Sequence, residues 1–504
     1  VSSAFTTLDL LVLAAYVGGV TAWGIWLGRG QRGARDYFLG GRDLPWGAVL
    51  FSVVATETST LTFLSIPGLA YATDLSFLQI TVGYLIGRVI VAYVLLPAYY
   101  RGELTTAYAL LEARFGLPTR RFASGIFMVT RALADGVRLF ATAIPLALIT
   151  GWSYPISILT MGVLTMVYTY YGGIRSVVFV DAMQMTVYLG GAVAALVLLL
   201  SAIPGGWGGL LTAADAFDKL AIIDLGWDWS EPYTLWAGLL GGAFLSMASH
   251  GADQLIVQRL LTCRDLKRSQ WALIGSGFVV IAQFALFLVI GLGLWVFYQA
   301  RDFARTDEIF ATFIIEQLPP GVTGLVIAAI FAAAMSSLSS SVNSLASAST
   351  YDFYAPLRGG SEGDLYRAGR WFTLLWGAVL IGGAMLFPSR DTPVVELGLA
   401  IASFTYGGLL GGFFLGVLNR RANQRDALVA IGAGVLIMTG LVVTLGPAIA
   451  FPWHVVIGTG ITFLIGSLLS LTHGGPDTVS GAPASVIPRS VSDEGSASSG
   501  ERTT

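Results

Sequence analysis

The stretch Ala55-Thr56-Glu57-Thr58-Ser59-Thr60-Leu61-Thr62, followed by Ile66-Pro67-Gly68, decides how this chain folds. It lies inside an apolar run, residues 46–70, long enough to cross a bilayer. One carboxylate and five hydroxyls followed by a Pro-Gly pair make a poor continuous membrane helix. Local unwinding there frees backbone carbonyls, which discontinuous helices use to hold cations. A similar weak point, Gly241-Gly242 followed by Ser246, Ser249, His250 and Gly251, stands five apolar spans further on. Five is odd, so two five-span repeats beginning at these segments have opposite orientation in the membrane. That argument is one of placement, since no internal sequence identity accompanies it.

Composition requires the bilayer. Of 504 residues 55% are hydrophobic and 12% charged, with a mean hydropathy of +0.74. Soluble proteins carry about 25% charged residues, so this chain has too little polar surface to face water. A formal net charge of −2 excludes the basic face that nucleic acid requires. The single cysteine, Cys263, excludes an intrachain disulfide and a cysteine-rich metal site. Sixty-two glycines suit close helix packing and broken helices.

Thirteen spans are predicted, at about 8–27, 46–70, 75–97, 122–149, 155–172, 177–201, 233–258, 271–298, 321–350, 371–387, 394–418, 427–446 and 452–472. The first lacks a basic flank and is long enough to span, so it reads as a membrane helix rather than a signal peptide. Alternate loops differ in basic content. One set, from Arg29, Arg32, Arg35 and Arg42 through Arg259 and Arg264 to Arg425, holds 19 of the 28 basic residues. The other holds four: Lys219, Arg301, Arg305 and Arg390. The positive-inside rule then puts the N-terminus outside and the C-terminus in the cytoplasm of a multi-pass cell-membrane protein. The chain divides into a first outer helix and cytoplasmic loop (1–45), a five-helix repeat (46–202), an extracellular loop (203–232), an inverted repeat (233–418), two C-terminal helices (419–473) and a disordered cytoplasmic tail (474–504). The 203–232 loop carries Asp215, Asp218, Asp224, Asp228 and Glu231, either as a solvated loop or as an attractor of cations.

Ionisable groups inside spans are costly and read first as functional: Glu57, Arg88, Arg131, Asp135, Arg138, Asp181, His250 and Asp253. Arg131, Asp135 and Arg138 share one helical stripe. They form a structural salt bridge, or leave an arginine whose guanidinium fork fits a solute carboxylate. Arg88 and Asp253 read equally as internal pairing partners. The ninth span holds Ala333-Ala334-Met335-Ser336-Ser337-Leu338-Ser339-Ser340-Ser341. Serine oxygens are hard, neutral donors suited to a hard monovalent cation. The alternative is serines bonding back to helix carbonyls or easing helix approach.

On these residues the chain resembles the sodium:solute symporter family. The matching motifs include Tyr171-Gly172-Gly173-Ile174-Arg175-Ser176-Val177-Val178 running on to Asp181 and Gln184, Asp253-Gln254-Leu255-Ile256-Val257-Gln258-Arg259, and Tyr406-Gly407-Gly408-Leu409-Leu410-Gly411. The resemblance covers about residues 8–472 and implies an all-α integral membrane protein with a LeuT-like 5+5 inverted repeat. It implies sodium-coupled symport of a small organic solute by alternating access, with one or two sodium ions as coupling ions. The implied main sodium site uses carbonyls of Ala55, Thr58 and Ala333 and hydroxyls of Ser336 and Ser337. The implied second site uses Asp181, Ser339 and Ser340 and shares Ser336.

The implied solute residues are Glu57, Ser59 and Thr62 with Arg138 or Arg131; Ser246, Ser249 and His250 are further candidates. Glu57 departs from the family pattern, since a carboxylate repels an anionic solute unless protonated or paired with arginine. Small hydroxyl residues favour a carboxylate-bearing solute, such as an organic acid, an amino acid or a sialic acid. A proton-coupled or sugar-specific carrier of the same fold is the rival. No nucleophile elbow or metal-ligand spacing suggests an enzyme. The expected partners are the solute and the lipid bilayer, with the monomer as the working unit.

Overall fold

The computed structural model describes residues 6–31, 33–102, 104–386, 394–445 and 448–473. Arg32, Arg390 and the tail from Gly474 to Thr504, expected to be disordered, lie outside the described residues. Among the described residues the regular structure is helical, apart from an isolated bridge between Leu44 and Cys263. The helices that frame the site are α1 (Thr7–Leu27), α2 (Trp46–Glu57), α3 (Thr60–Ala72), α4 (Leu78–Arg101), α5 (Leu117–Thr150) and α6 (Tyr154–Ala202). After the loop come α7 (Gly242–Gly251), α8 (Gln254–Leu260), α9 (Leu266–Phe297), α10 (Val322–Ala348), α11 (Glu362–Leu386), α12 (Val394–Leu418), α13 (Gln424–Leu445) and α14 (Phe451–Leu469). Eight described helices are long and apolar enough to cross a membrane, and the bent pair α2–α3 makes a ninth.

The α2–α3 pair is broken where the polar cluster predicts, but the break lies at Thr58-Ser59 rather than at Pro67-Gly68. Thr58 is extended (φ −80°, ψ 134°), and the axes on either side are bent by 62°. Ser59 caps α3: its hydroxyl accepts from the Thr62 N–H, and Thr62 Oγ1 accepts from the Ser59 N–H, each at 3.4 Å. That reciprocal cap satisfies donors a new helix start leaves free. Pro67 stays inside α3, anchored by the packing around it. Phe63 stands 5.1–5.3 Å from the rings of Tyr188, Phe287 and Phe310, and each such pair contributes about 0.5–1.5 kcal/mol beyond burial.

The predicted weak point at Gly241-Gly242 is also displaced. Gly241 ends a π-helical turn, Ala237–Gly241, Gly242 opens α7, and the helix is interrupted about ten residues later. Asp253 is extended (φ −102°, ψ 125°) and caps α8 by accepting the Leu255 N–H at 2.8 Å. An aspartate N-cap ends one helix and begins another more firmly than a glycine pair does. The glycines serve packing, with Gly242 against Ile80 and Gly241 against Pro452.

α6 is 49 residues long. At 1.5 Å per residue that is about 74 Å, more than twice the ~30 Å hydrocarbon core. Gly173 divides it, with φ 53° and ψ −156°, a conformation essentially restricted to glycine. The Tyr37 carbonyl packs where a Cβ would stand.

α10 is buried along nearly its whole length, as its all-round alanine and serine content requires. It packs against α6, α1 and α5 and against the broken pair. Buried Asp9 on α1 accepts the Gly321 and Gly324 N–H groups, both at 2.7 Å, and so fixes the start of α10. A carboxylate at a helix N-terminus is favoured there by the dipole and by unpaired N–H groups. The basic-loop reading needs correction: Arg120 and Arg121 lie in α5, Arg175 in α6, Lys267 and Arg268 in α9, Arg367 and Arg370 in α11, and Arg259 is on α8, fully buried.

Candidate functional site

The extended peptide at Thr58 and the serine run of α10 meet. Ser337 Oγ donates to the Thr58 carbonyl at 3.4 Å. A cavity of about 170 Å³ opens beside that contact, lined by Ala55, Thr58, Ala333 and Ser336, with Gln184 and Tyr188 from α6. All five residues of the expected main sodium site therefore lie together. The Thr58 hydroxyl turns away to accept from Gln283 Nε2 at 2.9 Å, which holds the extended peptide from α9. The Ser336 hydroxyl is buried, makes no hydrogen bond, and faces the Asp181 carboxylate. Buried hydroxyls usually find a partner, and this one stands beside the cavity without one. Among the described residues no cluster of His, Cys, Asp and Glu suits a multivalent metal. Hard, neutral oxygens are the donor set of an alkali cation.

The expected second site is differently furnished. Asp181 Oδ2 accepts from Ser52 Oγ at 2.7 Å and from Arg259 Nη2 at 3.3 Å. Arg259 Nη2 also donates to Ser340 Oγ, whose own proton goes to the Ser336 carbonyl at 2.6 Å. Ser339 Oγ donates to the same carbonyl at 3.0 Å. Nothing in the local sequence marks Ser52, and Arg259, although it closes the Asp253–Arg259 motif, reads as a loop residue.

The expected solute residues fall into two groups. Glu57, half-exposed at 22%, pairs with the fully buried Arg88 and has His250 Nε2 3.6 Å from its carboxylate. Ser249 hydrogen-bonds His250 Nδ1 at 2.8 Å, and the Ser246 carbonyl lies 3.1 Å from the same nitrogen. Arg88 thus neutralises the carboxylate that stood against an anionic solute. Ser59 and Thr62 bond one another in the α3 cap.

The two arginines of α5 differ. Arg131 is buried and spends its donors on Asp253 (Nη2 2.5 Å, Nε 3.2 Å), Asp135 (3.3 Å) and Tyr406 Oη. Arg138 has one loose pairing, 3.7 Å to Asp135, and its side chain is 29% exposed. It lines a second cavity of about 260 Å³ with Asp135, Thr142, Ala334, Ser337 and Leu338. Successive helix residues point about 100° apart, so Ser336 and Ser337 place the two cavities on adjoining faces of α10.

A broken membrane helix facing a serine-lined one, with buried charges neutralised in pairs around two small cavities, is the arrangement of a membrane transporter. The comparisons with known proteins agree. The model of the sodium:solute symporter family matches residues 37–434. The sodium/sialic acid symporter NanT of Aliivibrio fischeri (strain ATCC 700601 / ES114) is 31% identical over 93% of this chain and 94% of its own. The sodium/iodide cotransporter of Homo sapiens is 30% identical over 85% of this chain and 69% of its own. A solved structure of a substrate-bound, outward-open Na+-coupled sialic acid symporter is similar with a TM-score of 0.85 and 29% identity, covering 94% and 99% of the two chains. This chain belongs to the sodium:solute symporter family. It is a multi-pass membrane transporter, not an enzyme, and couples a small organic solute to sodium.

Proposed function

We propose that the chain carries a small carboxylate-bearing solute inward with sodium by alternating access, a sialic acid or another organic acid being the favoured class. The observation that carries this reading is the 170 Å³ cavity where the Thr58 peptide, Ala333 and the unpartnered Ser336 hydroxyl converge. Sodium sits there on the carbonyls of Ala55, Thr58 and Ala333 and the hydroxyls of Ser336 and Ser337. The solute carboxylate meets Arg138, the less committed α5 arginine, in the adjoining 260 Å³ cavity. Ser59, Thr62 and the Glu57–Arg88–His250 group line the other side of its path. The names of the relatives support an anionic solute: sialic acid for the symporters of Aliivibrio fischeri and Proteus mirabilis, and monocarboxylates for others.

The architecture proposed with it is thirteen spans, with α2–α3 and α7–α8 each one broken span and α6 two spans divided at Gly173. Helices of 46–202 and 233–418 form LeuT-like inverted repeats, with the N-terminus outside, the C-terminus inside and the monomer as the working unit. Sodium coupling requires that the ion bind the outward-facing conformation better than the other.

The test is uptake of N-acetylneuraminic acid and of short monocarboxylates into proteoliposomes. An inward sodium gradient should drive accumulation of at least one of them. Uptake indifferent to sodium that instead follows a pH gradient overturns the reading.

A further inference from the structure

Between α6 and α7 the chain crosses the ends of the membrane helices, and from Ala221 to Asp228 it is neither helix nor turn. Its side chains alternate there. Ile223, Leu225, Trp227 and Trp229 are apolar, while Asp224, Gly226, Asp228 and Ser230 between them are not. Alternation by two is the pattern of a segment with one face on an apolar medium and the other on water. Yet the apolar side chains are uncovered: Ile223 and Leu225 are 67% exposed and Trp227 61%. Apolar surface left open in this way marks a contact.

The segment is held level with the helix ends. The Ala450 N–H, immediately before α14, donates to the Trp229 carbonyl at 2.7 Å, and the Leu75 N–H, between α3 and α4, donates to the Ala221 carbonyl at 3.1 Å. Gln79 on α4 donates to the Tyr233 carbonyl at 2.7 Å and accepts the Asp224 N–H at 3.2 Å. The Trp227 ring stands 5.8 Å from that of Trp236 and the Trp229 ring 4.7 Å from that of Trp453 on α14. Trp236 and Leu240, at the start of the seventh span, are exposed too, so the apolar face runs on into a surface that meets lipid. Tryptophan, with an apolar body and a polar N–H, favours the boundary between lipid and water. The core of a protein–protein contact is depleted of charge, whereas here carboxylates interleave with the rings.

We infer that the 221–236 segment is a strap docked on the membrane interface, its apolar face among the headgroups and upper acyl chains and its acidic face in water. Its carboxylates repel anionic headgroups, so rings and aliphatic side chains make the contact, not charge. The inference is independent of which solute and ion the chain carries.

Nitroxide labels on the full-length protein, in liposomes of phosphatidylethanolamine and phosphatidylglycerol, test this. Cys263, the single native thiol, is removed as Cys263→Ala, and Leu225→Cys or Asp228→Cys is labelled. The Leu225→Cys label should collide more with oxygen, which concentrates in lipid, than with a water-soluble nickel chelate, and the Asp228→Cys label should show the reverse. A Leu225→Cys label that meets the chelate as readily as the Asp228→Cys label overturns the inference, because the segment is then an aqueous loop. A Leu225→Cys label shielded from both reagents overturns it in favour of cover by a second copy. A second reading needs no cysteine: lipids brominated near the headgroup should quench tryptophan fluorescence, and Trp227→Phe/Trp229→Phe should lose part of the quenched emission. An unchanged quenched emission counts against the docking.

Discussion

Ser336→Ala separates ion binding from folding. The Ser336 hydroxyl is buried with no partner at hydrogen-bond distance and only the Asp181 carboxylate facing it, so deleting it breaks no well-formed protein hydrogen bond. A buried hydroxyl without a partner costs about 1–3 kcal/mol, and its removal should leave sodium-free stability unchanged or slightly raised. Contacts of a neutral group with a charged one are worth about 1.5–3 kcal/mol. At about 1.4 kcal/mol per factor of ten, losing one oxygen from the ion's shell weakens sodium binding roughly 10- to 150-fold. Thermal unfolding in choline buffer and across a sodium titration measures both quantities, because an ion that binds only the folded state stabilises it by RT ln(1 + [Na+]/Kd). The variant should match the wild type without sodium and need at least tenfold more sodium for the same upward shift. A variant that is destabilised without sodium yet titrates normally would refute the reasoning, since Ser336 would then be a packing residue and the cavity beside it not the ion's.

Two further substitutions probe the second cavity and the charge network. Arg138→Gln should raise the solute concentration for half-maximal uptake at least tenfold at saturating sodium and leave sodium-22 binding unchanged; an unaltered solute dependence moves the carboxylate site elsewhere. Asp253→Asn strips the buried Arg131 of its main partner, a loss of about 3–5 kcal/mol in buried pairs. It should lower the unfolding temperature sharply, and the Arg131→Met/Asp253→Asn double variant should recover much of the loss; failure to recover would show that the pair does not act as a unit.

The fold was legible where membrane physics acts locally. Apolar runs are long or short irrespective of tertiary contacts, and the polar cluster at 55–62 announces a break because hydroxyls and a carboxylate cannot lie in a continuous lipid-facing helix. The position of that break was not legible to the residue. Whether Pro67 or Ser59 ends the helix depends on the reciprocal cap with Thr62 and on the ring cluster around Phe63, and those rings come from α6, α9 and the helix Asp307–Gln317. Gly241-Gly242 misled for the same reason: a glycine pair is read as weakness, but here it is a contact surface for Ile80 and Pro452.

The site divides along a similar line. The polar break and the serine run of α10 stand out because their density in one segment is anomalous in itself, while the particular carbonyls and hydroxyls assigned to sodium come from the family resemblance. The charge pairs were not assignable, since Glu57 and Arg88 are 31 positions apart, Arg131 and Asp253 122, and Asp181 and Arg259 78. Every buried charge must find its opposite, but composition does not say which. Arg131 and Arg138 look interchangeable on one helical stripe and differ only because Asp253 and Tyr406 reach one of them. Arg259 looks like a loop residue and differs only because α8 turns inward after the Asp253 cap. For charges such as these, whose partners lie far away in the chain, geometry and not pattern supplies the decisive information.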